Sequence, residues 1–114
     1  MDKQSRRQLV RDFKEKKAPV GVFAIRCAES GEVWVGASRN LEAQERSVWF
    51  GLRLGQYINK PMQAAWNAHG EAAMSFEVLE AVDAPDLTPM GLADLLKARE
   101  RHWIAALGAR KALG

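Results

Sequence analysis

Glu100 is a carboxylate placed among apolar residues. In the last helical stretch, Leu96, Glu100, Trp103, Ile104 and Leu107 recur at a period near 3.6, so Glu100 falls inside an apolar stripe. A carboxylate on a packing face needs a partner to offset its desolvation. A bound metal ion would serve; so would Lys97, Arg99 or Arg101 on the same helix, or solvent at the rim of the core. The remaining polar candidates are weaker. His69 shares a helix face with Met62, Ala65 and Trp66 and suits a hydrogen-bonded helix-end imidazole better than a general base. Asn67 beside it can reach a phosphate. Cys27, in a strand, reads as a small buried hydrophobe; with Glu100 and His102 it does not compose a nucleophile and its base. Trp34, also on a strand, offers a face for stacking on a nucleobase, whereas Trp49, Trp66 and Trp103 occur one per element and read as core. Arg39, Arg46, Arg53 and Lys60 are spread over the middle of the chain, where they could contact phosphates.

The elements that must position these groups follow from patterning. Residues 20–27 and 33–38 are rich in β-branched and aromatic side chains and flank a Ser-Gly turn signal, the pattern of an antiparallel hairpin. Val33 and Val35 should share one face of the second strand, with Trp34 on the other. Asn40 can cap a helix beginning at Leu41, which buries Val48, Trp49 and Leu52 and ends near Gly51 or Gly55. Pro61 suits the first turn of a short helix closed by Gly70. Residues 74–82 alternate, with Met74, Phe76 and Val78 on one face and Leu79 on the other, so they form a third strand. Thr88 and Pro89 then open the final helix, which runs to about Leu107 before Gly108. Residues 3–17 add an N-terminal helix with Leu9, Val10 and Phe13 as a thin apolar stripe, ended by Pro19. The expected architecture is α/β: a small three-stranded antiparallel sheet flanked by helices. Residues 1–19 form the basic helix, 20–108 the domain and 109–114 a short tail.

At 114 residues the chain supports one core. The single cysteine excludes an intramolecular disulfide, and no Cys/His cluster has zinc spacing. No apolar run approaches the roughly 18–20 residues of a membrane span. The charged N-terminus lacks the apolar segment of a secretory signal, so a cytoplasmic protein is expected. The net charge of +3 is unevenly placed: residues 1–17 carry seven basic side chains against three acids, while residues 71–94 carry six acids and no Lys or Arg. A basic end can neutralise phosphates, or simply be solvated.

Five segments in order resemble the GIY-YIG nuclease superfamily. They are Gly21-Val22-Phe23, Trp34-Val35-Gly36, Ser38 through Leu41, Ala65-Trp66-Asn67-Ala68-His69-Gly70 leading into Phe76-Glu77-Val78-Leu79, and Glu100-Arg101-His102-Trp103-Ile104. The resemblance implies phosphodiester cleavage with a divalent metal, Mg²⁺ or Mn²⁺, held by Glu100. It places the two motif tyrosines at Phe23 and Trp34 and the helix arginine at Gln44. Phe23 has no oxygen, and the Trp34 indole nitrogen is only a donor. Arg46 lies about 200° further round the helix from Gln44 and substitutes only if the helix starts differently. Arg39, Asn40, Arg46, Arg53 and Asn67 would contact nucleic acid. Three readings follow: a nuclease, a non-catalytic DNA- or RNA-binding descendant, and a protein-interaction or homodimerisation module. The favoured expectation is a protein that binds or acts on nucleic acid, DNA foremost, with cleavage impaired or absent.

Overall fold

The computed structural model describes residues 19–83 and 86–113. The helix expected over residues 3–17 lies outside the described residues, as do Pro85 and Gly114.

Strand β1 (Gly21–Cys27) pairs antiparallel with β2 (Val33–Ser38), joined by a turn in which Gly31 adopts φ 78°. Helix α1 (Leu41–Leu54) follows, its first turn capped by the Asn40 side chain, which accepts from the Ala43 N–H. Helix α2 (Lys60–His69) begins with Pro61 in its first turn, and a short 3₁₀ turn (Glu71–Ala73) leads into β3 (Met74–Ala81). Helix α3 (Pro89–Leu107) is capped by Thr88, whose hydroxyl accepts from the Gly91 N–H, and stops at Gly108 in the left-handed conformation. All of these boundaries are local decisions.

The sheet splits the core in two. Phe23, Ile25, Cys27 and Trp34 face α1 and α2, against Leu41, Val48, Leu52, Met62 and Ala65. Val22, Ala24 and Val35 face α3, against Trp103, Ile104 and Leu107. This is the alternation expected of strands buried on both faces. On the α1 side an aromatic chain runs from Phe23 stacked on Phe76 at 5.0 Å, through Trp49 edge-on to Phe76 at 6.5 Å, to Trp66 at 5.9 Å.

Two features correct the expected sheet. It has four strands, ordered β3-β1-β2-β4. β4 (Arg110–Lys111), placed by patterning in a tail, pairs parallel to β2. Two exposed cations carry no strand periodicity. What holds them is non-local: the Ala112 N–H donates to the Val35 carbonyl at 2.8 Å, and Asn59 Nδ2 donates to the carbonyls of Lys111 and Ala112 at 2.8 and 3.1 Å. The second correction is in β3. Val78 faces Phe23 across the ladder but Glu80 faces Val22, so Leu79 and Glu80 together span one step of β1 as a bulge. Strict alternation would put Glu80 beside Phe76; the bulge turns it, with Leu79, toward α3.

Asn59 is therefore a joint between α2 and the sheet edge. Its Oδ1 also accepts from the Met62 N–H at 3.1 Å. Asn59→Ala removes a cap and orphans two carbonyls, and should cost about 2 kcal/mol. Asn59→Asp, which keeps the acceptor and loses the donor, should fall between the two in a urea unfolding series. An Asn59→Ala protein as stable as wild type would rule out the joint.

Candidate nucleic-acid interface around Glu100

Glu100 lies half-buried on α3, with no hydrogen bond or ion pair among the described residues. It lines an open cleft of about 250 Å³ with Ala37, Ser38 and Arg39 from the end of β2 and Ala93, Leu96 and Lys97 from its own helix. Arg39 is held in place by donating from Nη2 to the Pro89 carbonyl at 2.8 Å, which spans from the α1 entry to the first turn of α3. The cleft thus presents one carboxylate flanked by a guanidinium and an ammonium. Arg99, one of the partners considered for Glu100, is engaged elsewhere. Its Nε donates to Glu80 Oε1 at 2.9 Å, and Trp103 Nε1 donates to the same oxygen at 2.9 Å.

That Glu80 cluster fixes α3 to the sheet. The Trp103 indole first, and Arg99 second, hold the Glu80 carboxyl below its usual range. A carboxyl whose folded pKa is depressed adds stability above its unfolded pKa, near 4.3, and loses it as pH falls through the folded value. Wild type should therefore lose more stability than Glu80→Gln below about pH 4.5. The difference should be about 1 kcal/mol or less, since the pair is partly solvated. Parallel acid titrations of the two proteins would exclude this anchoring role.

A second open cleft, about 470 Å³, is lined by Arg46, Ser47, Trp49, Phe50 and Arg53 on α1. Arg53 forms a two-point pair with Glu71, at 2.9 and 3.3 Å, and Arg46 is exposed. Phe50 and Leu54, one helical turn apart, are more than half exposed beside it.

No family model matches the sequence, and no curated protein shows significant similarity to it. Among solved structures, the catalytic domain of the homing endonuclease I-TevI is 22% identical. The alignment covers 83% of this chain and 99% of that one, with a TM-score of 0.66. A glutamate-to-alanine mutant of the same catalytic domain aligns over 84% of this chain with a TM-score of 0.67 and 21% identity. The chain has a GIY-YIG-like fold.

Within that GIY-YIG-like frame, the expected site residues fall in separate places. Phe23 and Trp34 are fully buried on the α1 and α2 side of the sheet and line no part of the Glu100 cleft. Gln44 is half-buried on α1 and is likewise outside that cleft. Of the expected nucleic-acid contacts, Arg39 joins Glu100, and Arg46 joins Arg53. The Asn40 side chain is occupied in capping α1. Asn67 accepts from Gln63 Nε2 at 3.1 Å, so it serves the buried Gln63, which also bonds the Leu52 carbonyl and the Tyr57 N–H. Lys97 is the cleft residue that patterning did not assign to phosphate. Its i, i+3 spacing from Glu100 was the available signal.

Two buried donors have no partner among the described residues, Trp34 Nε1 and the Tyr57 hydroxyl. Burial alone pushes the Tyr57 hydroxyl above its ordinary pKa.

Proposed function

We propose that this chain binds nucleic acid, DNA foremost, through a GIY-YIG-like domain whose metal-dependent phosphodiester cleavage is impaired or absent. One observation carries the reading: among the described residues Glu100 stands unpaired in a cleft with Arg39 and Lys97, while the two signature aromatic positions hold core side chains without a titratable oxygen. Arg39 and Lys97 are suited to neutralising phosphate oxygens, with Arg39 oriented by its bond to the Pro89 carbonyl. A divalent cation would be held by Glu100. Mg²⁺ sites often use one or two carboxylates completed by water and substrate phosphate. Such an ion would offset charge developing on the phosphate. The described residues offer it little else, since no group of three or more His, Cys, Asp or Glu is arranged around a common point. Phe23 and Trp34 supply no base to take a proton from water.

The test is supercoiled-plasmid nicking with Mg²⁺ or Mn²⁺, wild type beside Glu100→Ala, together with duplex binding over a salt series. Slow or absent nicking by both is expected, with affinity falling steeply as salt rises. Arg39→Ala with Lys97→Ala should lower the salt slope by about 2, roughly one per lost phosphate contact. Rapid nicking by wild type that Glu100→Ala lacks would overturn impairment and establish a working nuclease. Absence of binding, or a flat salt response, would overturn the nucleic-acid reading. The exposed Phe50 and Leu54 favour the alternative of a protein-interaction or homodimerisation module on the same fold. Light scattering that showed a dimer abolished by Phe50→Ser would support it.

A further inference from the structure

We propose that the cleft between β4 and the first turn of α2 is a second binding site, one that takes a phosphate group. The cleft, about 470 Å³, shares no lining residue with the Glu100 cleft. Its walls bring together Lys60 from the start of α2 and Arg110 and Lys111 from β4. Lys60 and Lys111 form no ion pair among the described residues. Among the same residues Arg110 has a loose one, Nη1 to Glu32 Oε2 at 3.6 Å. Three cations gathered from two segments fifty residues apart in sequence exclude a cationic ligand and favour a multiply charged anion.

Trp34 backs the same wall from the core: its ring is fully buried, so its indole N–H senses the wall without contacting a ligand in the open cleft. The positive end of the α2 dipole adds to the field at Lys60 and Pro61. Ile58, 69% exposed on the rim, offers an apolar ledge for whatever the phosphate is attached to. Phosphate beside an apolar ledge suits a nucleotide, either free or within a strand.

The experiment follows the indole N–H signals of the ¹⁵N-labelled full chain, with the Trp34 signal identified by its loss in Trp34→Phe. Inorganic phosphate, thymidine and a short oligothymidylate are added in turn at constant ionic strength. The Trp34 signal should move with phosphate and with the oligonucleotide, and stay still with thymidine and with chloride. The exposed triple variant Lys60→Gln, Arg110→Gln, Lys111→Gln should weaken both interactions by about tenfold or more. That comparison can be made by calorimetry if Trp34→Phe does not fold. Tighter binding of the oligonucleotide than of phosphate assigns the site to a strand, and equal binding assigns it to a small phosphorylated ligand. A Trp34 signal unmoved by every probe, or equal affinity in the triple variant, overturns the site. Trp34 lies on this cleft and outside the Glu100 cleft, so its response to phosphate reads this site alone and the two sites fail or stand separately.

Discussion

Gly21→Ala is expected to remove roughly 3 kcal/mol or more of stability, a large share of what a domain of this size possesses. A Cβ at this position would lie 2.0 Å from the Glu80 carbonyl oxygen and 3.0 Å from the Ala81 Cα. Both are backbone atoms of β3, so no side-chain rotamer relieves the clash. The strand itself must move. It would move at the bulge, where Leu79 and Glu80 turn toward α3 and Glu80 meets Trp103 and Arg99. The first glycine of the signature thus acts through spacing: it lets β3 approach β1, which presents Glu80 to α3, which carries Glu100 to Arg39. Urea unfolding should show a lower midpoint with an unchanged slope. Gly31→Ala is the informative contrast, because nothing lies within 4 Å and only its φ of +78° opposes the substitution; its cost should be about 1 kcal/mol. A Gly21→Ala midpoint within about 0.5 kcal/mol of wild type would mean the two strands are not so closely set.

What patterning captured, and what it missed, divides along sequence distance. Asn40, Thr88, Pro61, Pro89, Gly70 and Gly108 act within one helical turn of their own positions, and each sits at the boundary its residue type indicates. The strand faces were equally legible, because alternation is a property of the strand alone. The bulge at Leu79 was not: it depends on how β3 registers against β1, some fifty-five residues earlier. β4 was not legible for the same reason, since Arg110 and Lys111 are held by Asn59 and Val35. At the site, the helical period placed Glu100 in an apolar stripe, and the resemblance named it as the metal ligand. Its cleft companions could be named but not assembled, because a contact such as Arg39 to the Pro89 carbonyl joins segments fifty positions apart. Arg99 shows the converse error: adjacency on a helix suggested it for Glu100, while the sheet register gave it Glu80.

Phe23→Tyr, which would restore the aromatic hydroxyl that the GIY-YIG resemblance calls for, is expected to lower stability by roughly 1–3 kcal/mol and to restore no cleavage. The Phe23 ring is fully buried and stacked on Phe76. Its tip, Cζ, lies 2.7 Å from where a Cβ on Gly36 would stand, and the Ala112 Cβ lies 3.3 Å from that same point. The ring therefore ends against Gly36, with Ala112 of the C-terminal segment close by. A hydroxyl on Cζ would enter this space as an added atom and as a buried polar group. Were the position a functional slot open to water, the hydroxyl would be hydrated and nearly free of cost. Phe23→Ala sets the scale of the same site as core, at about 3–5 kcal/mol for an aromatic deleted from a packed interior. The decisive pair of measurements is the urea midpoint of Phe23→Tyr and its nicking of supercoiled plasmid with Mg²⁺. An unchanged midpoint together with new, Glu100-dependent nicking would show that the ring opens onto the Glu100 cleft after all. A lowered midpoint with no nicking would show that this position has been given over to the core, and that one substitution cannot return it.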